Sequence, residues 1–259
     1  MNSLNYVGID IGSTASKVAV LGDHDEKFVL PTGWSSKETC QTIKMKLKEM
    51  GVDVESDDTI VVATGYGRIA VDFADHVITE ITCHARGGRA LSDSDSLAII
   101  DVGGQDTKVI LVEHGMVQDF LMNDKCSAGT GKFLEIMANR LGVTLNEIFD
   151  MASGGKVLPI SSLCTVFAES EVINYIGQGC KREDIAAGVV DSVASKVSQL
   201  AMRKNLPAKV ILTGGLSHST YFTGILSAKV GKTVENTPDG RYAGAVGAAI
   251  LGKEKSKRK

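Results

Sequence analysis

Apolar residues recur along this chain with two different periods. Ile185, Val189, Val193, Val197 and Leu200 form one stripe at helical spacing and predict a core helix over 185–200. Phe133, Leu134, Met137, Ala138 and Leu141 predict another, directly after the small-residue turn 127–131. Residues 37–50 are polar apart from Ile43, Leu47, Met50 and their neighbours, which fits a helix with one apolar face. A helix over 79–91 would carry Cys83 and His84, and 243–251 is an Ala- and Gly-rich helix suited to close packing. Short apolar runs that end in glycine predict strands. These are Val61-Val62-Ala63-Thr64-Gly65 and Val210-Ile211-Leu212-Thr213-Gly214.

The strands also repeat. Ile9-Asp10-Ile11-Gly12 is followed by four residues and then Lys17-Val18; Ile100-Asp101-Val102-Gly103 is followed by four and then Lys108-Val109. Each copy reads as an apolar strand, a small-residue turn and a second apolar strand (16–21 and 107–112). That is a β-hairpin with an aspartate just before its glycine. The two Thr-Gly strand ends form a second echo. The aspartates lie 91 residues apart and the Thr-Gly pairs 149 apart, so the second half holds about 58 extra residues between its landmarks. The segment 121–180 has that length and carries three of the five cysteines. Two related α/β halves follow, the second with a cysteine-bearing insertion.

Composition narrows the function. With 259 residues, 43% hydrophobic and 23% charged, the chain supports a substantial core. A net charge of −3 argues for neither nucleic-acid nor membrane binding. The basic run 253–259 reads as a solvated terminus. No apolar stretch approaches the roughly 18 residues of a membrane span, and Asp10 interrupts the first one, so no signal peptide is expected. An odd number of cysteines without a secretion signal points to a reducing cytoplasm.

Paired Asp-Gly turns suit a nucleotide-phosphate clamp. Their backbone N–H groups can meet phosphate oxygens, glycine permits close approach, and each aspartate can hold Mg²⁺ through water. Gln105, and more weakly Asp106, are candidates to orient a water for in-line attack. Thr213-Gly214-Gly215 reads as a strand end whose glycines admit a nucleoside. Cys126 precedes a turn at a helix N-terminus, where the helix dipole lowers a thiol's pKa and favours anions.

The arrangement resembles that of the actin, sugar kinase and Hsp70 ATPase superfamily, with phosphate loops at 8–20 and 99–110, an adenosine loop at 210–218 and the second connecting helix at 243–251. Within it, N-D-K-C-S-A-G-T-G-K-F (123–133), S-S-L-C-T-V-F-A-E-S-E-V (161–172) and A-T-G-Y-G-R (63–68) resemble the activators of 2-hydroxyacyl-CoA dehydratases. Those belong with the ATPase subunits of benzoyl-CoA reductase.

The resemblance implies two related actin-like (ribonuclease H-like) α/β domains around a nucleotide cleft. Domain I would be 1–95, with the 243–259 helix packed back on it. Domain II would be 96–242, with a cluster-binding segment at 121–180. It also implies ATP or ADP as ligand, with Asp10 and Asp101 on Mg²⁺ and Gln105 on the attacking water. Gly12, Ser13, Thr14, Ala15, Lys17, Gly103 and Gly104 would contact phosphates, and Gly129, Thr130, Gly131, Gly214 and Gly215 would lie near the nucleotide.

Cys126 and Cys164 supply two thiolates, whereas a 4Fe-4S cluster normally takes four. The resemblance, together with that count, implies one cluster per homodimer. Its donor would be a ferredoxin or flavodoxin, and its acceptor an iron–sulfur dehydratase or double-cubane reductase. A small-molecule kinase and a non-catalytic nucleotide sensor are the competing readings; the first should be colourless and the second should turn over little ATP. Cys40, Cys83 and Cys180 carry no assigned role.

Overall fold

A computed structural model describes residues 4–22, 25–161 and 164–257. Its first half runs β1 (Asn5–Ile11), β2 (Ala15–Leu21), β3 (Glu26–Pro31), α1 (Ser36–Glu49), β4 (Thr59–Thr64), β5 (His76–Val77) and α2 (Glu80–Ser92). Its second half begins with β6 (Leu97–Val102), β7 (Thr107–Glu113) and β8 (Met116–Asn123). There follow α3 (Gly131–Arg140), α4 (Leu145–Ser153), α5 (Thr165–Gly177), α6 (Arg182–Ala201), β9 (Val210–Gly214), α7 (Thr220–Val230), β10 (Val234–Asn236) and α8 (Ala243–Ser256).

The two sheets have one topology. The first is ordered β3-β2-β1-β4-β5, and the second β8-β7-β6-β9-β10. β1 pairs antiparallel with β2 and parallel with β4. In the second sheet β6 pairs parallel with β9, which pairs parallel with β10. The duplication read from the Asp-Gly and Thr-Gly landmarks is thus a duplication of whole sheets. A single helix, α1, links β3 to β4, whereas α3 to α6 lie between β8 and β9, where the offset places the insertion.

The chain divides into two compact units: 1–96 with 110–119 and 239–259, and 97–109 with 120–238. In the first, strand alternation separates two layers. Val7, Ile9, Ile11, Val18, Val20, Val61 and Ala63 turn one way onto Cys40, Ile43 and Leu47 of α1. Met50, at the end of the same pattern, is the α1 C-cap and is exposed. Gly8, Asp10, Ala19 and Val62 turn the other way, towards α8 and α2. In the second unit, α6 buries Ile185, Val189, Val193 and Val197 as its stripe requires.

The opposite face of the first sheet is packed on backbone. A Cβ on Gly8 would stand 1.9 Å from the Ala245 carbonyl oxygen, and one on Gly247 1.8 Å from that of Cys83. This explains the Ala and Gly content of 243–251: bulkier residues would push α8 off β1 and α2. Gly247→Ala should therefore lose about 3 kcal/mol, the upper end for overpacking, because the obstacle is main chain. Gly224→Ala, in an open position within α7 with nothing within 4 Å, should gain about 0.5–1 kcal/mol. Denaturant midpoints of the two variants test the contrast.

Candidate functional site

The two repeats place their landmarks equivalently. Parallel register sets Asp10 opposite Thr64 and Asp101 opposite Thr213. The glycine after each threonine, Gly65 or Gly214, has φ +85°. A Cβ on Gly65 would meet Asp10 Oδ1 at 2.5 Å, and one on Gly214 would meet the Val102 carbonyl at 2.3 Å and Asp101 Oδ1 at 3.0 Å. Glycine is required twice over, for its backbone angle and for the space it leaves beside a carboxylate. Both aspartates are buried, each 2% exposed.

The surroundings of the two carboxylates differ. Asp101 Oδ1 accepts a hydrogen bond from Thr213 Oγ1 at 2.8 Å. Asp10 Oδ1 is equally buried yet accepts none. A buried carboxylate oxygen without a donor is costly unless a cation stands beside it. The lysines diverge as well. Lys17 lies across the hairpin from Asp10, 3.7 Å from Oδ2, with a partly exposed side chain. Lys108 is fully buried, 2.7 Å from Asp106 Oδ2 and 3.7 Å from Asp101 Oδ2. One ammonium thus neutralises two buried acids.

The turns narrow the choice of anion donors. Gly12 N–H donates to the Asp10 carbonyl (3.2 Å) and Gly103 N–H to that of Asp106 (2.9 Å). Among the described residues, the amides of Ser13, Thr14, Gly104 and Gln105 meet no protein acceptor. Thr14 and the Gln105 side chain are exposed. Thr32 braces the first turn from behind, its hydroxyl donating to the Gly12 carbonyl at 2.7 Å and lying 2.8 Å from Ser16 Oγ. Gly215 is open on its side-chain side.

The cysteine segment is tied to the turn between β6 and β7. Gly131 and Lys132 donate their N–H groups to the carbonyls of Gly103 and Gly104, both at 2.8 Å. The first turn of α3 therefore spends two amides on that loop. Thr107 Oγ1 donates to the Gly129 carbonyl at 2.7 Å, and Thr130 Oγ1 to that of Ser127 at 2.6 Å. Asn123 Nδ2 holds the carbonyls of Cys126 and Ala128. Ser127 Oγ and Thr165 Oγ1 are 2.6 Å apart, bonding the loop of Cys126 to the residue after Cys164. Cys164 is the N-cap of α5. Both cysteines are half-buried. Ser162 and Leu163, within the motif preceding α5, lie outside the described residues. Around Cys164, α5 exposes Val166 (66%), Phe167 (63%), Ile173 and Ile176.

The remaining cysteines differ in kind. Burial, with help from the Asp72 charge, pushes the Cys40 thiol up to about 11, and burial pushes Cys83 to about 12. Three residues near the aspartates had no role in the sequence reading. Lys108 was visible only as half of a matching Lys-Val pair, and Thr107 only as a strand start. For His84 the available signal is the Glu80-x-x-x-His84 spacing, which puts an acid on its own helix face.

Two sheets of one order, each with a buried aspartate before its glycine turn and a Thr-Gly strand end opposite, define an actin-like ATPase. The chain belongs to the BadF/BadG/BcrA/BcrD ATPase family, whose pattern matches residues 7–252. It is 40% identical to the (R)-2-hydroxyglutaryl-CoA dehydratase activating ATPase of Acidaminococcus fermentans, over 98% of this chain and 99% of that one. The crystal structure of component A of the same dehydratase superposes with a TM-score of 0.91, at 39% identity and 98% and 99% coverage. The activator of 2-hydroxyisocaproyl-CoA dehydratase from Clostridium difficile, solved with bound ADPNP, gives 0.87 at 35% identity, covering 99% of this chain and 98% of that one.

Two outcomes follow from this geometry. Lys108→Met strands two buried carboxylates and should lose about 3–5 kcal/mol, whereas Lys17→Met should lose under about 1 kcal/mol, since its ion pair is long and partly solvated. Equilibrium unfolding distinguishes them. Below pH 9 the Cys40 and Cys83 thiols stay protonated as well as buried. A thiol reagent at pH 8 should then label Cys180 in the native protein and leave Cys40 and Cys83 unlabelled, as peptide mass mapping would show.

Proposed function

We propose that this protein is an ATP-driven electron donor of the cytoplasm, working as a homodimer with one 4Fe-4S cluster held by Cys126 and Cys164 of each subunit. The observation that carries this reading is the bonded path from Gly103 and Gly104, through the start of α3 and the loop 126–130, to Thr165 beside Cys164. The residues fit the group: two half-buried sulfurs per chain, on loops bonded to one another, beside an apolar face of α5 suited to a second copy. When bound, the cluster supplies a one-electron carrier.

The chain's own groups do the rest. Amides of Ser13, Thr14, Gly104 and Gln105 receive phosphate oxygens, and Lys17 adds a cation. Asp10 and Asp101 hold hydrated Mg²⁺, the donorless Oδ1 of Asp10 supporting that role. Gln105 orients the water that attacks the terminal phosphoryl group, giving ADP and phosphate. A change at that phosphate moves the Gly103 and Gly104 carbonyls, and these carry the N-terminus of α3 and the Cys126 loop with them. Nucleotide turnover thereby alters how the cysteines are presented. With the cluster held by Cys126 and Cys164, the protein would take an electron from reduced ferredoxin or flavodoxin and supply it to an iron–sulfur acceptor, a dehydratase or a double-cubane reductase.

Anaerobically purified protein should contain about four irons and four sulfides per dimer. Cys126→Ser and Cys164→Ser should each lose them. Iron that survives both substitutions, or zinc in its place, overturns the electron-donor reading. Gln105→Ala should lower ATP turnover about ten- to a hundredfold with iron content unchanged.

A further inference from the structure

His84 is a buried side chain of the first unit that takes no part in the scheme above. It sits in α2 at 4% exposure, one turn after Glu80, with Nε2 3.7 Å from Glu80 Oε1. Its neighbour Cys83 packs with Val62 and Ala248 and lies near Thr64 and Asp10. The position of His84 relative to Asp10 is fixed by Gly244, in the first turn of α8. The point a Gly244 Cβ would occupy lies 2.8 Å from Asp10 Oδ2 and 2.9 Å from His84 Nε2. Carboxylate and imidazole thus face one gap, which only glycine at 244 keeps open.

Alternation along β1 agrees. Ile9 and Ile11 point to α1, so Asp10 must point to the layer of α2 and α8 that holds His84. Around Asp10, then, Oδ2 faces Lys17 Nζ at 3.7 Å and the His84 gap, while Oδ1 faces the Gly65 turn and accepts no hydrogen bond. The basic groups gather at one oxygen and leave the other for a ligand.

We infer that His84 is a positioning residue for Asp10: it fixes the rotamer of the carboxylate through Oδ2, so that Oδ1 is presented to a hydrated divalent cation. The inference rests on the ATPase reading above and adds a residue to it.

The test is the magnesium dependence of ATP hydrolysis by the full-length, iron-loaded protein. In His84→Ala the Mg²⁺ concentration giving half-maximal turnover should rise about tenfold, the usual scale for losing a partner that orients a metal-holding group. The rate at saturating Mg²⁺ should fall far less. His84→Asn, whose amide can still donate into the gap, should recover part of the shift, and Glu80→Gln should show a smaller one. A melting temperature that drops while the magnesium midpoint stays put in all three variants marks a packing side chain and overturns the inference. If His84→Ala does not fold, the Asn and Gln variants decide by the same midpoint. Wild-type protein without magnesium-dependent turnover overturns the ATPase reading itself, which separates the two failures.

Discussion

A carboxylate buried at the end of the first strand of each sheet is the constraint on which this structure turns. Asp10 and Asp101 are almost inaccessible, and burial of an ionised group is tolerated only with compensation. That requirement explains the residues nearby: a threonine directly opposite in register, a glycine after it in the left-handed region, a lysine across the hairpin. The two halves meet it differently. Around Asp101 the protein supplies its own compensation, with the Thr213 hydroxyl on one oxygen and the buried Lys108 ammonium near the other. Around Asp10 one oxygen is left with no donor. A duplicated architecture has thus become chemically asymmetric.

Much of this was legible in the sequence because it depends on short-range pattern. The Asp-Gly and Thr-Gly echoes encode strand register, and their offsets revealed that the second half is longer. The stripes of Ile43 with Leu47 and of Ile185 with Val197 encode buried helix faces, and both are buried. What stayed hidden depends on parts of the chain far apart in sequence. Nothing in Cys83-His84 says that α8 will come to rest on α2 and bring Gly244 between a histidine and Asp10. Nothing in Thr107 or Ser127 announces hydrogen bonds to Gly129 and Thr165. The anchoring of α3 on Gly103 and Gly104 was equally invisible, since a glycine-rich turn before a helix reads as an anion site while its amides go to a neighbouring loop.

That anchoring is the more informative result for the second unit. A helix N-terminus placed on the Gly103 and Gly104 carbonyls cannot move independently of that turn, for two backbone bonds and the Thr107 hydroxyl would have to break together. The insertion therefore starts from a fixed point, although its far end, α5, shows a solvent-exposed apolar face. No helix among the described residues is long and apolar enough to cross a membrane, so that face is not part of such a span.

The packing of α8 has a consequence for how the molecule is made. This helix closes the back of the first sheet against Gly8 and Gly87, yet more than half the sequence intervenes between β1 and residues 243–256. On the ribosome, β1 to β5 emerge long before the helix that covers one face of their sheet. The first unit waits with that surface uncovered while the second is synthesised. The order of maturation is then the reverse of the order of translation: the half made first is finished last.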